Sequence, residues 1–247
     1  MTTDNFRWSF SALNAYLQCP QMFYLQYVQR CSQVENAFSQ YGTFTHSLLE
    51  KYAKDEIPDF ALAEEYAAQF DEQVTAPFPP FPKGMGQKYY DQGLQYFESF
   101  QGFGEQYEVL SAEEKFEILI GGYTFVGLAD LILRDKNTGE IIVIDHKSKS
   151  SSSMAKDLSM YRRQLYLYAA YVKEKYGQYP AYLKFNLFRE NQWITEAFDL
   201  QVFKKTTQWA VETVQKILQE TAWPVKPFSY FCRFVCGVMF DCPESKK

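Results

Sequence analysis

The chain reads as an α/β fold with a helical N-terminal portion, and three features say so. Residues 9 to about 101 carry mostly helical apolar spacing, residues 116–147 carry three apolar stretches separated by tight turns, and a helix, two strands and a last helix follow. The 247 residues, 47% hydrophobic and 22% charged, suit one domain over 1–247. Within it we expect a helical portion at 1–110, an α/β core at 111–222 and a cysteine-rich tail at 223–247.

The elements follow in order. From Ser9 to about Arg30 apolar residues recur at helical spacing, with a break at Cys19-Pro20 where one helix must end and another begin. A second helix is expected from Ser39 to Lys54, with Phe44, Leu48 and Tyr52 on one side, and others over 59–75 and 87–101. The Pro/Gly-rich run at 77–86 breaks the pattern and must be a loop. Residues 116–120, a Gly121-Gly122 turn and residues 123–133 read as a β-hairpin. A turn at 135–139 leads into a strongly apolar third strand, 140–147, expected at the centre of the sheet. A serine loop (148–153), a helix (157–176), strands near 181–189 and 192–198, and a helix near 201–220 complete the core, and the tail from Trp223 reads as irregular.

Composition narrows the function. A net charge of −5 argues against a broad nucleic-acid-binding coat, but a site that holds divalent cations must concentrate carboxylates. Aromatic residues make up 18%, enough to leave rings for a binding cleft. No apolar run approaches the roughly 20 residues of a membrane span, and the first ten residues lack a secretory layout, so a cytosolic protein with no membrane partner is expected. No phosphate-binding loop of the G-x-x-x-x-G-K-[ST] kind occurs, so any motor would be a separate partner.

The chemistry concentrates at G-L-A-D (127–130) and I-D-H-K (144–147). Strand alternation puts Asp145 and Lys147 on one face and His146 on the other, while the 135–139 turn brings Asp130 towards Asp145. Two carboxylates and an ammonium suit phosphodiester hydrolysis, where a Mg²⁺ or Mn²⁺ ion activates water and a lysine stabilises charge. A lone D-x-K is most often a solvated ion pair, yet this one ends a buried apolar strand. His46, one of two histidines, offers a neutral imidazole to such an ion, and Gln164 and Tyr168 share a helix face one turn apart. Removing Asp145 or Lys147 is expected to leave folding nearly intact. Separately, Cys232, Cys236 and Cys242 follow C-x3-C-x5-C, with Cys19 far upstream. Four thiolates can hold a [4Fe–4S] cluster or a structural Zn²⁺.

These motifs occur in a recognisable order: S-F-S-A-L-N-A-Y-L-Q-C-P-Q-M-F (9–23), G-T-F-T-H-S-L-L-E (42–50), G-L-A-D-L-I, I-D-H-K-S and Q-L-Y-L-Y (164–168). Together they resemble the RecB-like nuclease family of the PD-(D/E)xK superfamily. Within it they resemble the iron–sulfur branch, which includes the AddB nuclease domain and small CRISPR-associated and phage exonucleases. The resemblance implies a restriction-endonuclease-like core, a central mixed sheet flanked by helices, with an Fe–S-stapled C-terminal tail. It implies metal ligation by His46, Asp130, Asp145 and the backbone carbonyl of His146, a catalytic Lys147, and support from Gln164 and Tyr168. It points to a cluster on Cys19, Cys232, Cys236 and Cys242, leaving Cys31 spare, although this branch usually begins its triplet C-x2-C. The implied activity is a DNA exonuclease of repair or recombination, acting on single strands or free ends. The alternative is a non-catalytic end-binding subunit of a recombination or CRISPR-adaptation complex.

Overall fold

The computed structural model describes residues 6–246. Its centre is a five-stranded mixed sheet in the order β1 (Tyr107–Ile120), β2 (Tyr123–Asp135), β3 (Ile141–His146), β4 (Tyr182–Leu187), β5 (Gln192–Ala197). Gly121 and Gly122 both take positive φ (58° and 84°), which lets a two-residue turn join β1 to β2 antiparallel. Asp135 accepts the amides of Asn137 (2.8 Å) and Thr138 (3.1 Å), fixing the turn that returns β3 antiparallel to β2. β4 pairs parallel to β3, a geometry that needs a crossover, and β5 closes the edge antiparallel. β3 is the middle strand, and each of its six residues is buried.

The crossover is α6 (Ser151–Tyr176), which starts six residues earlier than the spacing predicts. Serine lowers helix propensity, but here Ser150 caps the helix by accepting the amide of Ser153 (3.3 Å), and Glu190 accepts the amide of Ser151 (2.7 Å). Half of the expected serine loop is therefore the first turn of the helix. β1 also begins nine residues before the predicted hairpin, and β4 stops at Leu187, where Phe188–Glu190 turn into a 3-10 segment.

Helices cover both faces of the sheet. α1 (Phe10–Gln18), α6 and α7 (Leu200–Gln219) pack on one face over Phe116, Ile118, Phe125, Val143 and Phe185. Burying each such side chain contributes about 1.5–3 kcal/mol. Leu131, Leu133, Ile142 and Ile144 face the other way, towards α3 (Ala37–Ala53). α3 also packs with α4 (Leu62–Gln73) and α5 (Met85–Ser99) around Tyr41, Leu48, Tyr66 and Phe97.

The break at Cys19 is real: α1 ends there, and α2 (Pro20–Phe23) starts with proline at its first position and continues as a π-helical turn to Val28. The tail is less irregular than expected, since Ser229–Phe234 form a short helix, α8. The tail is tied to the N-terminal region by Gln21 N to Pro224 O (3.3 Å), Val34 N to Gly237 O (2.8 Å) and Asn36 Nδ2 to Val235 O (3.0 Å). Among the described residues no helix is long and apolar enough to cross a membrane.

Candidate active site

The register sets Asp130 across from Asp145, one position beyond the Leu131–Ile144 pair, at the end of β3 where the ladder opens. Asp130 Oδ2 takes the amide of His146 (2.7 Å) in place of a backbone acceptor. Alternation carries Asp145 and Lys147 to the α6 face, where Lys147 Nζ lies 2.6 Å from Asp145 Oδ2. Asp145 is completely buried, and its Oδ1 has no hydrogen-bond donor among the described residues. A buried carboxylate oxygen without a donor is costly unless a cation completes it.

His46 reaches the same point from α3. Its Nε2 lies 3.0 Å from the carbonyl oxygen of His146, and its Nδ1 is 3.6 Å from Asp130 Oδ2. The imidazole also meets Glu113 of β1, whose Oε1 is 3.3 Å from Nδ1. His46, Glu113 and Asp130 bring their ligand atoms within 4.8 Å of one another. Carboxylates, a carbonyl and one imidazole form a hard donor set suited to Mg²⁺ or Mn²⁺. The residues present fit such an ion.

The sequence reading did not single out Glu113. Burial of Phe116, Ile118 and Ile120 at period two assigns Glu114, not Glu113, to the inner face of β1. The backbone at Glu113 is left-handed (φ 49°), which interrupts the pairing across from Asp130 and lets its side chain reach His46. The only sequence signal is an acidic pair at the start of an alternating strand.

α6 supplies the support. Lys147 Nζ donates to Gln164 Oε1 (3.0 Å), and Gln164 Nε2 donates to Tyr168 Oη (2.6 Å). The amide is thus oriented from both ends, and the ammonium is aimed by a fixed acceptor. Tyr168 also meets Phe116 edge-on at 5.4 Å, and Phe116 stacks on Tyr171 at 4.6 Å. Phe116 lies across from Gly127 in the register, and a Cβ at Gly127 would overlap its ring. The glycine of G-L-A-D is therefore the space that lets this aromatic floor sit beneath the site.

His146 turns away as expected. Its ring is buried on the far face, where Asn186 Nδ2 approaches its Nδ1 (3.0 Å) and also donates to Tyr96 Oη (2.7 Å). Burial, then the charges of His46 and Lys147, hold its pKa well below the usual histidine value, so it is neutral packing. The segment after the lysine is clamped by Lys147 N to Asn186 O (2.8 Å) and by Arg189 Nη1 to Ser148 O (3.0 Å).

Burial pushes the Asp145 carboxyl up to about 6 against the pull of Lys147, with Asp130 adding to the rise. Asp130 is also raised, chiefly by burial. Burial opposes charge on His46 and Lys147, but the surrounding carboxylates outweigh it and raise both. The carboxylates thus favour positive charge on both His46 and Lys147. Asp145 is fully buried and Lys147 is its counter-charge, so we expect removal of either to cost stability rather than to leave folding nearly intact.

Cys19, Cys232, Cys236 and Cys242 all line one cavity of about 520 Å³ between α2 and the tail. No disulfide joins the cysteines among the described residues, and Cys31 stands apart with its sulfur 3.9 Å from Gln29 Oε1. Backbone amides of Lys226 (3.5 Å) and Phe228 (3.4 Å) donate to the sulfurs of Cys19 and Cys232. Burial, then the nearby Cys232, Cys242 and Cys19, raise the Cys236 thiol.

The site opens into a cleft of about 810 Å³ lined by His46, Glu113, Asp130, Asp145, Lys147 and Gln164, among others. Among solved structures, one from Eubacterium rectale, named only provisionally as an exonuclease, shares the fold with a TM-score of 0.51. It is 10% identical over 95% of this chain and 98% of its own. The protein SSO0001 is 21% identical over 81% of this chain and 96% of its own, with a TM-score of 0.36 that carries no argument. No curated protein matches the chain. The model of the PD-(D/E)XK nuclease superfamily matches residues 7–243, nearly the whole length, and the chain belongs to that superfamily.

Proposed function

We propose that the protein is a Mg²⁺- or Mn²⁺-dependent deoxyribonuclease, an exonuclease acting on single-stranded DNA or free DNA ends. The observation that carries this reading is Asp145: a fully buried carboxylate whose Oδ1 has no donor among the described residues, beside Asp130, His46 and Lys147, at the floor of an open cleft. Asp130, Asp145, His46 and the His146 carbonyl would hold the ion, with Glu113 at its edge. A bound divalent cation polarises the phosphate and lowers the pKa of an attacking water. Lys147, kept protonated by the carboxylates, stabilises the charge that develops on the phosphate. Gln164 fixes its direction, and Tyr168 fixes Gln164.

For the cysteine cavity we propose a [4Fe–4S] cluster that joins residue 19 to the tail. Tetrahedral zinc holds sulfur at about 2.3 Å, which puts neighbouring sulfurs roughly 3.8 Å apart. A cavity of about 520 Å³ lined by all four thiols has room for the larger four-iron group. Iron and sulfide analysis tests this, and a colourless protein with one zinc per chain would overturn it.

The activity is tested with end-labelled single- and double-stranded DNA, with Mg²⁺, Mn²⁺ or chelator. We expect metal-dependent cleavage of single strands that is lost in Lys147→Ala, with the product ladder giving the polarity. DNA-end binding without cleavage by metal-loaded wild type would instead favour an end-binding subunit of a larger complex.

A further inference from the structure

Resting on the nuclease reading, we propose that the arm of the cleft beyond Lys147 holds an unpaired DNA strand through neutral side chains and stacked rings rather than through cations. The catalytic cleft adjoins a second cavity of about 660 Å³, and the two share Phe10, Ser11, Lys147 and Gln164 in their walls. A polymer bound at the carboxylates can extend into this second cavity past Lys147.

The walls of that arm have a distinct chemistry. One wall is α1, which presents Ser11, Asn14 and Gln18 at i, i+3 and i+7, a polar stripe on one helix face. The facing wall includes Gln33 and Asn36, whose segment is tied to the tail through Val34 and Asn36. Tyr161 stands at the junction with both lysine ammoniums over its ring, Lys147 at 5.1 Å and Lys149 at 4.9 Å. The arm's lining holds one cation, Lys147, and one carboxylate, the exposed Glu35.

Amide side chains pair with base edges and sugars, and tyrosine rings stack on bases. A duplex hides the Watson–Crick edges and faces of its bases and presents phosphates, which this wall has almost no charge to meet. An unpaired strand presents the groups that amides and rings recognise. The nine residues of α1 span about 13 Å, which at ~3.4 Å per stacked nucleotide is room for about four nucleotides.

The salt dependence of binding reads this directly. For single strands the slope of log K against log salt is about −0.7 per phosphate neutralised. With Lys147 and Lys149 at the arm and Arg7 and Lys115 lining the catalytic cleft, the slope should be no steeper than about −2.8. The experiment is fluorescence anisotropy of labelled dT12 with iron-loaded protein in chelator, across a salt series. It compares wild type, Tyr161→Ala and the double variant Asn14→Ala/Gln18→Ala. We expect a shallow slope, at least tenfold weaker dT12 binding by each variant with the slope unchanged, and weak binding of a hairpin duplex. A slope of about −4 or steeper, variants within twofold of wild type, or a duplex bound as tightly as dT12 would overturn the proposal. Cleavage of end-labelled DNA with Mn²⁺ by the same wild-type preparation separates the two claims. If wild type cleaves but the binding results go against us, only the strand path fails, and if it does not cleave, the nuclease reading fails.

Discussion

Lys147→Ala removes an ammonium that lies 2.6 Å from Asp145 and donates to Gln164 at 3.0 Å. Breaking a fully buried pair typically costs 3–5 kcal/mol, and because the Lys147 side chain keeps 17% exposure we discount this to about 3 kcal/mol. For a chain of this length that is roughly 6–12 °C in Tm. The cost is electrostatic, so it must depend on pH. Asp145 is an acid whose folded pKa, about 6 with Lys147 present, lies above its unfolded value near 4, and it rises further when the ammonium is gone. A raised acid destabilises at pH above its folded pKa, and the penalty is relieved as pH falls through that value and the group takes a proton. The deficit relative to wild type should therefore be largest at pH 8 and small at pH 5. Saturating Mn²⁺ at pH 8 should also shrink it, by supplying the missing positive charge. Thermal denaturation followed by circular dichroism under the three conditions is the assay. An equal deficit at pH 5 and pH 8 would refute the reasoning and make Lys147 a packing residue.

Three further outcomes follow from the same geometry. Metal binding must displace protons from His46 and Asp145, both raised in the free site, so calorimetry in buffers of different ionisation enthalpy should show proton release near pH 6, with Mg²⁺ affinity falling as pH drops below about 6. Gly127→Ala should cost about 1–3 kcal/mol, because Phe116 must move from its stack on Tyr171, and urea titration should show the midpoint fall. Cys236→Ser should lower iron content and thermal stability together, whereas Cys31→Ser should change neither, as metal analysis and a melting curve will show.

Much of this was legible in the sequence. The apolar run 141–144 marks the central strand, and its ending in Asp-His-Lys places two functional side chains on one face by alternation alone. The turn at 135–139 was enough to align Asp130 with Asp145. What stayed hidden depends on local backbone choices that periodicity does not carry. Glu113 enters the site through one left-handed residue, which reverses the face that alternation assigns to it. The start of α6 was missed because serines read as loop until Ser150 and Glu190 are seen to cap them. Asn186 and Arg189 clamp residues 146–148 from β4 and the turn after it, a neighbour only through the parallel pairing of β3 with β4. The burial of Asp145 stayed hidden for a related reason, since burial of a charged residue is not written in its identity.

The most direct test of the central claim is an anomalous difference map from crystals of the wild-type protein soaked in Mn²⁺. A peak is expected enclosed by His46, Asp130, Asp145 and the carbonyl of His146, with Lys147 beside it and not in contact with the ion. A map empty at that point under saturating Mn²⁺, or a peak that Asp145 does not touch, would contradict it.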